Sequence, residues 1–357
     1  MGFLQCLLGK LSNGSVVVMD DCYYNGKTIL VTGGVGSIGS EIVKQLIAQK
    51  PKIVRIFDNN ETELFHAGEK YGIDKVRTFV GDVRDKERLL LAMEDVDVVF
   101  HAAALKHVSL CEYNPFDAVK TNVTGTQNVI RSAMEKGVAK VIFISTDKAV
   151  NPTGVMGATK LLAERLMTAA SYYSGEGTSR FVSVRFGNVL DSRGSVVPIF
   201  RKQIAAGGPV TVTDPRMTRF FMSIPDAAKL VLTAGQMSNG GEVFVLKMPA
   251  IKIIDLALAM VGSAAIECKV IGRKGGEKLS EELITEEEST RAYENDEMFV
   301  VLPQGHPLIG YPEIPFGGTI DLGGKLLKKI NISKYSSDSV KLLTIPQIVE
   351  VLDNLEL

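Results

Sequence analysis

Short apolar runs alternate with longer amphipathic stretches from residue 27 onward. Residues 28–32 (Thr-Ile-Leu-Val-Thr) read as a buried strand, and a helix follows over 40–49. The next strand, 53–57, ends at Asp58, and further strands fall at 78–80, 96–101, 141–145 and 181–185. Two long helices are predicted over 115–136 and 156–174. Because the apolar runs lack polar alternation, both faces of these strands need cover, which points to parallel strands wrapped by helices. The expected fold is a doubly wound α/β parallel sheet whose ligands sit at the carboxyl ends of the strands.

Beyond residue 186 the pattern loosens. Gly207-Gly208-Pro209 and Asp214-Pro215 punctuate short elements, and small helices are expected over 253–261 and 346–352. The chain therefore divides into a lead-in (1–26), a sheet domain (27–186) and a stretch (187–357) that forms mainly a smaller α/β lobe interleaved with the sheet. The acidic run 281–288 is expected to be a solvated helix face.

Charge removes several function classes. The chain carries 40 basic and 41 acidic side chains, so no overall field favours nucleic acid or acidic membranes. The cysteines Cys6, Cys22, Cys111 and Cys268 show no paired or metal-ligand spacing. That usage suggests a reducing compartment, hence the cytoplasm. The apolar opening at residues 1–8 is too short to span a bilayer and lacks a cleavage site. No metal is expected, because His101 and His107 have no third ligand and suit packing or hydrogen bonding.

The candidate chemistry starts at Thr32-Gly33-Gly34-Val35-Gly36-Ser37-Ile38-Gly39, which follows a strand and opens a helix. Gly33 permits a tight turn, Gly36 lets the backbone approach a pyrophosphate, and Gly39 allows close helix–strand packing. Asp58, 19 residues after Gly39, is placed to accept hydrogen bonds from the adenosine ribose. A carboxylate there repels a 2′-phosphate, which favours NAD over NADP, and Arg55 lies too early in its strand to compensate. Asp82 and Val83, after another strand, are expected at the adenine edge.

At Ser145-Thr146-Asp147-Lys148-Ala149-Val150-Asn151-Pro152 and Met156-Gly157-Ala158-Thr159-Lys160 the chain resembles the extended short-chain dehydrogenase/reductase superfamily. Within it the likeness is to nucleotide-sugar 4,6-dehydratases of polysaccharide biosynthesis, over roughly residues 15 to 350. The stretches 101–108, 121–126, 185–190, 215–221 and 275–279 belong to the same pattern. Met156 stands where the superfamily usually has tyrosine, which removes the usual phenol base but matches some dehydratases. The segment 7–26 resembles the lead-in that follows the membrane helices of larger members.

The resemblance implies a retained NAD and a UDP-N-acetylhexosamine that loses water to give a 4-keto-6-deoxy sugar. C4 is oxidised, the C5 proton and C6 hydroxyl leave, and hydride returns to C6. It places Gly33, Gly36, Ser37, Ile38, Gly39, Asp58, Asp82, Val83, Ala102, Ala103, Ala104, Asn122 and Lys160 around the cofactor. Thr146 would bond the C4 oxygen, Asp147 would move a proton at C4 or at the C6 leaving group, and Lys148 would remove the C5 proton, with the split between acid and base open. Lys160 would hold the nicotinamide ribose, and Met156 would wall the pocket. Lys106, Asn188, Arg193, Val197, Arg219, Arg273 and Glu277 are expected on the sugar nucleotide, arginine forks suiting its phosphates. The two long helices imply a homo-oligomer, a dimer or larger. Two other readings are a UDP-sugar 4-epimerase, which leaves the substrate mass unchanged, and a dinucleotide-sensing protein without turnover. The C5 configuration of the product stays open.

Overall fold

The computed structural model describes residues 23–174, 179–304 and 318–354. The lead-in through residue 22, with Cys6 and Cys22, lies outside the described residues. Among the described residues, the apolar runs assemble into an eleven-stranded sheet. Its strands are β1 Thr28–Thr32, β2 Ile53–Asp58, β3 Val76–Val80, β4 Val98–His101, β5 Lys140–Ile144, β6 Arg180–Arg185, β7 Val243–Leu246, β8 Ala292–Glu294, β9 Met298–Val301, β10 Thr319–Leu322 and β11 Lys325–Lys329.

The spatial order is β10-β11-β8-β9-β7-β6-β5-β4-β1-β2-β3. From β3 to β7 all neighbours are parallel. The remaining four strands extend the sheet antiparallel. β1 lies between β2 and β4, so the chain leaves it toward opposite edges and opens a crevice beyond Thr32 and His101.

Both faces of the parallel part are covered. On one face helix Ser37–Ala48 packs against Ile224–Met237, burying Ile42 and Leu46 with Leu230 and Val231. On the other, Gly125–Glu135 and Val155–Tyr173 bury Val129, Ala163 and Met167 against Leu30, Val99 and Val141. Each fully buried aliphatic side chain of this kind contributes about 1.5–3 kcal/mol. The smaller lobe gathers helices Val196–Ala205, Ile253–Val261 and Ile345–Asp353 around a third core containing Val197, Phe200, Phe221 and Leu256. Residues beyond 187 also supply Ile224–Met237 and five strands of the central sheet, so the lobes are interwoven.

Two expectations need correction. The helix expected over 115–136 is broken into Pro115–Ala118, a π-turn at Val119–Thr124 and Gly125–Glu135. The π-turn carries Asn122, whose amide accepts from Leu105 N at 2.8 Å and donates to Leu105 O at 3.0 Å. The acidic run is only in part a solvated helix face, Glu286 and Glu287 being exposed on it. It forms strand Glu282–Ile284 and a short capped helix, Glu286–Ser289, with Glu281 and Glu288 buried. Buried arginines provide the reason, as described below. Among the described residues no helix is long and apolar enough to cross a membrane.

Candidate active site

The glycine turn is built by close approach. Gly33 adopts φ +66°, and a Cβ there would meet Ala103 N at 2.6 Å, while one on Gly39 would meet Gly33 O at 2.2 Å. Only Gly33 O, at 3.1 Å, lies near the Cβ position of Gly36, leaving its other sides open. Helix Ser37–Ala48 starts there with no side-chain cap and no acidic residue in its first turn, so its amide ends remain available to an anion. Asp58 ends β2 beside the turn; its Oδ2 accepts from Val35 N at 3.3 Å and its Oδ1 from Asn60 N at 3.1 Å. These residues fit a dinucleotide with its pyrophosphate at Gly36 and its adenosine ribose at Asp58.

Other expected cofactor residues divide. Ser37, Ile38, Ala102, Ala103 and Ala104 are half-buried around the turn. Val83 is buried, and Asp82 is clamped by Arg84, whose Nε and Nη2 donate at 2.9 and 2.5 Å. Asn122 is fully enclosed: besides Leu105 it donates to Thr159 Oγ1 at 3.0 Å, so it ties the β4 loop to helix Val155–Tyr173. Arg55 points away, Nη1 donating to Ala92 O and Glu94 O.

Lys160 is buried, with Nζ donating to Ile144 O at 2.5 Å and lying 3.9 Å from the centre of the Phe143 ring. Burial pushes its ammonium down to about 7, against the favourable charge of Glu164. The lysine therefore exchanges a proton readily near neutral pH. His101, fully buried between Thr32 Oγ1 at 2.7 Å and Thr126 Oγ1 at 3.1 Å, is pushed down to about 3 by burial and by Lys160, and is neutral.

Past β5, Thr146 caps a three-residue turn of 3₁₀ helix, Asp147–Ala149. Asp147 is fully buried; its Oδ1 accepts from Thr146 Oγ1 and from Lys148 Nζ, both at 2.9 Å. Its Oδ2 is buried without a hydrogen-bond partner. Lys148 Nζ also donates to Asn188 Oδ1 at 3.0 Å, so Asn188, expected on the diphosphate, stands beside the lysine. Met156 is buried against Cys111 and Ala118, an apolar wall without a proton to give.

The smaller lobe departs further from expectation. Val197 is completely buried in the lobe's core and presents nothing to a substrate. Arg219 is folded inward, Nη1 donating to Thr218 O and Leu279 O and Nη2 to Lys278 O, with Glu281 at 3.7 Å. It braces the 275–279 stretch rather than facing solvent. Arg193 reaches the glycine turn: its Nη2 donates to Val35 O at 2.6 Å and its backbone N to Ser37 Oγ at 3.1 Å. Lys106 is nearby, its ammonium lowered by burial and by the charge of Arg193. Arg273 approaches Asp214 at 4.0 Å, and Glu277 accepts from Lys274 N at 2.9 Å.

Sequence reasoning missed Glu112. Its Oε1 accepts from Val155 N at 2.6 Å and so caps the helix carrying Met156 and Lys160, which has no cap of its own. The partners lie 43 residues apart, leaving no local signal. Among the described residues, no group of three or more His, Cys, Asp or Glu side chains could hold a metal ion.

Comparison with known proteins gives a concordant picture. A family model described as polysaccharide biosynthesis protein matches residues 29–303. The chain is 58% identical over 292 residues to an uncharacterized membrane protein of Methanocaldococcus jannaschii, covering 79% of this chain and 88% of the relative. It is 46% identical over 282 residues to a UDP-N-acetylglucosamine 4,6-dehydratase (inverting) of Campylobacter jejuni, covering 78% and 84% respectively. Among solved structures, Pen from Bacillus thuringiensis superposes with a TM-score of 0.85 at 40% identity, over 94% of this chain and 99% of that one. The UDP-glucose 4-epimerase of Thermus thermophilus, solved with NAD, gives 0.60 at 26% identity, over 70% and 88%.

Proposed function

The chain belongs to the polysaccharide biosynthesis protein family that spans its residues 29–303, and we propose that it dehydrates UDP-N-acetylglucosamine to a UDP-linked 4-keto-6-deoxy-N-acetylhexosamine. The observation that carries this reading is the Asp147–Lys148–Asn188 cluster, in which Asp147 is fully buried and one of its carboxylate oxygens has no partner. An epimerase needs proton transfer only at the C4 oxygen; elimination also needs a base at C5 and an acid at the C6 hydroxyl. The cluster offers a group for each of these two roles.

A dinucleotide held by the turn at Gly33–Gly39 and by Asp58 would supply the hydride acceptor for C4 and the hydride donor for C6. The chain's own groups move the protons. Thr146 turns its hydroxyl from Asp147 to the C4 oxygen, and Lys160 in its neutral form accepts the proton released there. Lys148 passes its proton to Asp147 across their 2.9 Å hydrogen bond. The neutral amine then takes the C5 proton, and the protonated Asp147 gives its proton to the departing C6 hydroxyl, which leaves as water. Asp58, together with the turning away of Arg55, favours NAD over NADP. The free thiols of Cys111 and Cys268 suit a reducing cytoplasm. The exposed Leu110, Tyr113, Phe116 and Leu162 suit a homo-oligomer built on helices Val108–Tyr113, Pro115–Ala118 and Val155–Tyr173.

The test is incubation with UDP-N-acetylglucosamine and NAD, followed by mass and proton NMR analysis. The expected product is lighter by one water and carries a C6 methyl group. A product of unchanged mass inverted at C4 would make the chain an epimerase, and no product would leave it a dinucleotide binder.

A further inference from the structure

We propose that Arg193 is a clasp that holds the dinucleotide in its cradle during and between turnovers; this rests on the dinucleotide reading above. Three segments meet over the glycine turn: the turn itself, the stretch after β4, and the loop 188–195 leading from the lobe's strand Asn188–Val189. Arg193 crosses from that loop to the turn with two separate bonds, guanidinium to Val35 O and backbone N–H to Ser37 Oγ. Its Nη2 also lies 3.7 Å from Glu63, in the first turn of the helix after β2, on the adenosine side. A single residue, through its backbone N–H and its guanidinium, thus bridges the pyrophosphate end and the adenosine end of the cradle.

The loop is built to hold that position. Leu190 N donates to Met222 O at 2.9 Å, and Arg201 Nη1 donates to the Asp191 carboxylate at 2.6 Å, which fixes the loop to the smaller lobe. Asp191 has φ +58°, a left-handed conformation that Asp tolerates better than most residues. Gly194 lies against His107, where a Cβ would meet the ring at 2.5 Å. Arg193 is 60% exposed along its side chain, so its contacts are not a by-product of core packing.

The chemistry explains why such a clasp is useful. The sugar is oxidised and then reduced within one turnover, so a reduced dinucleotide that escaped midway would strand a 4-keto sugar. Holding it requires a barrier to exit rather than affinity for substrate, and Arg193 touches the cofactor's turn, not the Asp147–Lys148 cluster.

The experiment loads the purified enzyme with radiolabelled NAD, adds excess unlabelled NAD and follows the label that remains bound. Arg193→Gln is expected to release label about tenfold faster, the scale of one charged hydrogen bond, with its melting temperature unchanged. Arg193→Lys, which keeps the charge but not the fork, is expected in between, and it decides the matter if the glutamine variant does not fold. Release at the wild-type rate overturns the clasp while leaving the dinucleotide reading intact. A wild-type protein that retains no label overturns both.

Discussion

Two buried ionic clusters flank helix Val155–Tyr173, and they are finished differently. In the first, Arg185 is closed on all sides: Nε and Nη2 reach both oxygens of Glu164, Nη1 and Nη2 reach both oxygens of Glu288, and Nη1 also reaches Leu283 O. Burial works against its charge, but the two carboxylates hold Arg185 firmly protonated. In the second, Asp147 is equally buried, yet only Oδ1 is engaged and Oδ2 is left over. A saturated cluster has nothing left to offer a ligand and serves as a brace. An unsaturated one retains desolvated capacity, which costs stability and is available for proton transfer.

That contrast can be broken by mutation, beginning at the closed cluster. Arg185→Met should cost about 3–5 kcal/mol in urea unfolding, because it strands two buried carboxylates. A loss below about 1 kcal/mol would show that Glu164 and Glu288 are not held by it. Asp147→Asn should behave in the opposite way: turnover falls about 10²- to 10³-fold while the unfolding midpoint stays put or rises. Equal damage to stability would make Asp147 another brace.

Lys160 sharpens the comparison through pH. Its proton affinity is depressed in the folded state, to about 7, so between pH 7 and about 10 the unfolded chain binds more protons. Stability from this group should rise by about 2 kcal/mol between pH 7 and 9 and be lost again on acidification. Paired denaturation curves of wild type and Lys160→Met should show that the difference disappears in the variant. The smallest effect is expected at Asn188→Ala, which removes one bond to Lys148: kcat should drop about tenfold with KM little changed. A change confined to KM would place Asn188 on the substrate instead.

The cofactor side was legible because its information is local. Residues 32–39 lie in one turn, and Asp58 follows at the end of the next strand, so spacing alone puts the turn and the carboxylate side by side. The lobe side was not, because its contacts join distant segments. Arg185 and Glu288 are 103 residues apart, and Arg219 finds Lys278 O across 59. Within the acidic run, Glu288 is drawn inward only once β6 places Arg185 beside it, and Glu281 by Arg219 and Lys278. Val197 resembles a pocket residue by its motif, but helix Val196–Ala205 turns it into the core.

The sequence by itself determined the parallel sheet and the glycine turn, since apolar periodicity and backbone freedom act over a few residues. Tertiary structure decided which charges are spent and which remain. It turned Arg219 into a brace, set Arg193 across the cofactor turn and left Asp147 Oδ2 unpaired. Hydrogen-bond saturation depends on every group that packs around an atom, and no stretch of sequence contains all of them.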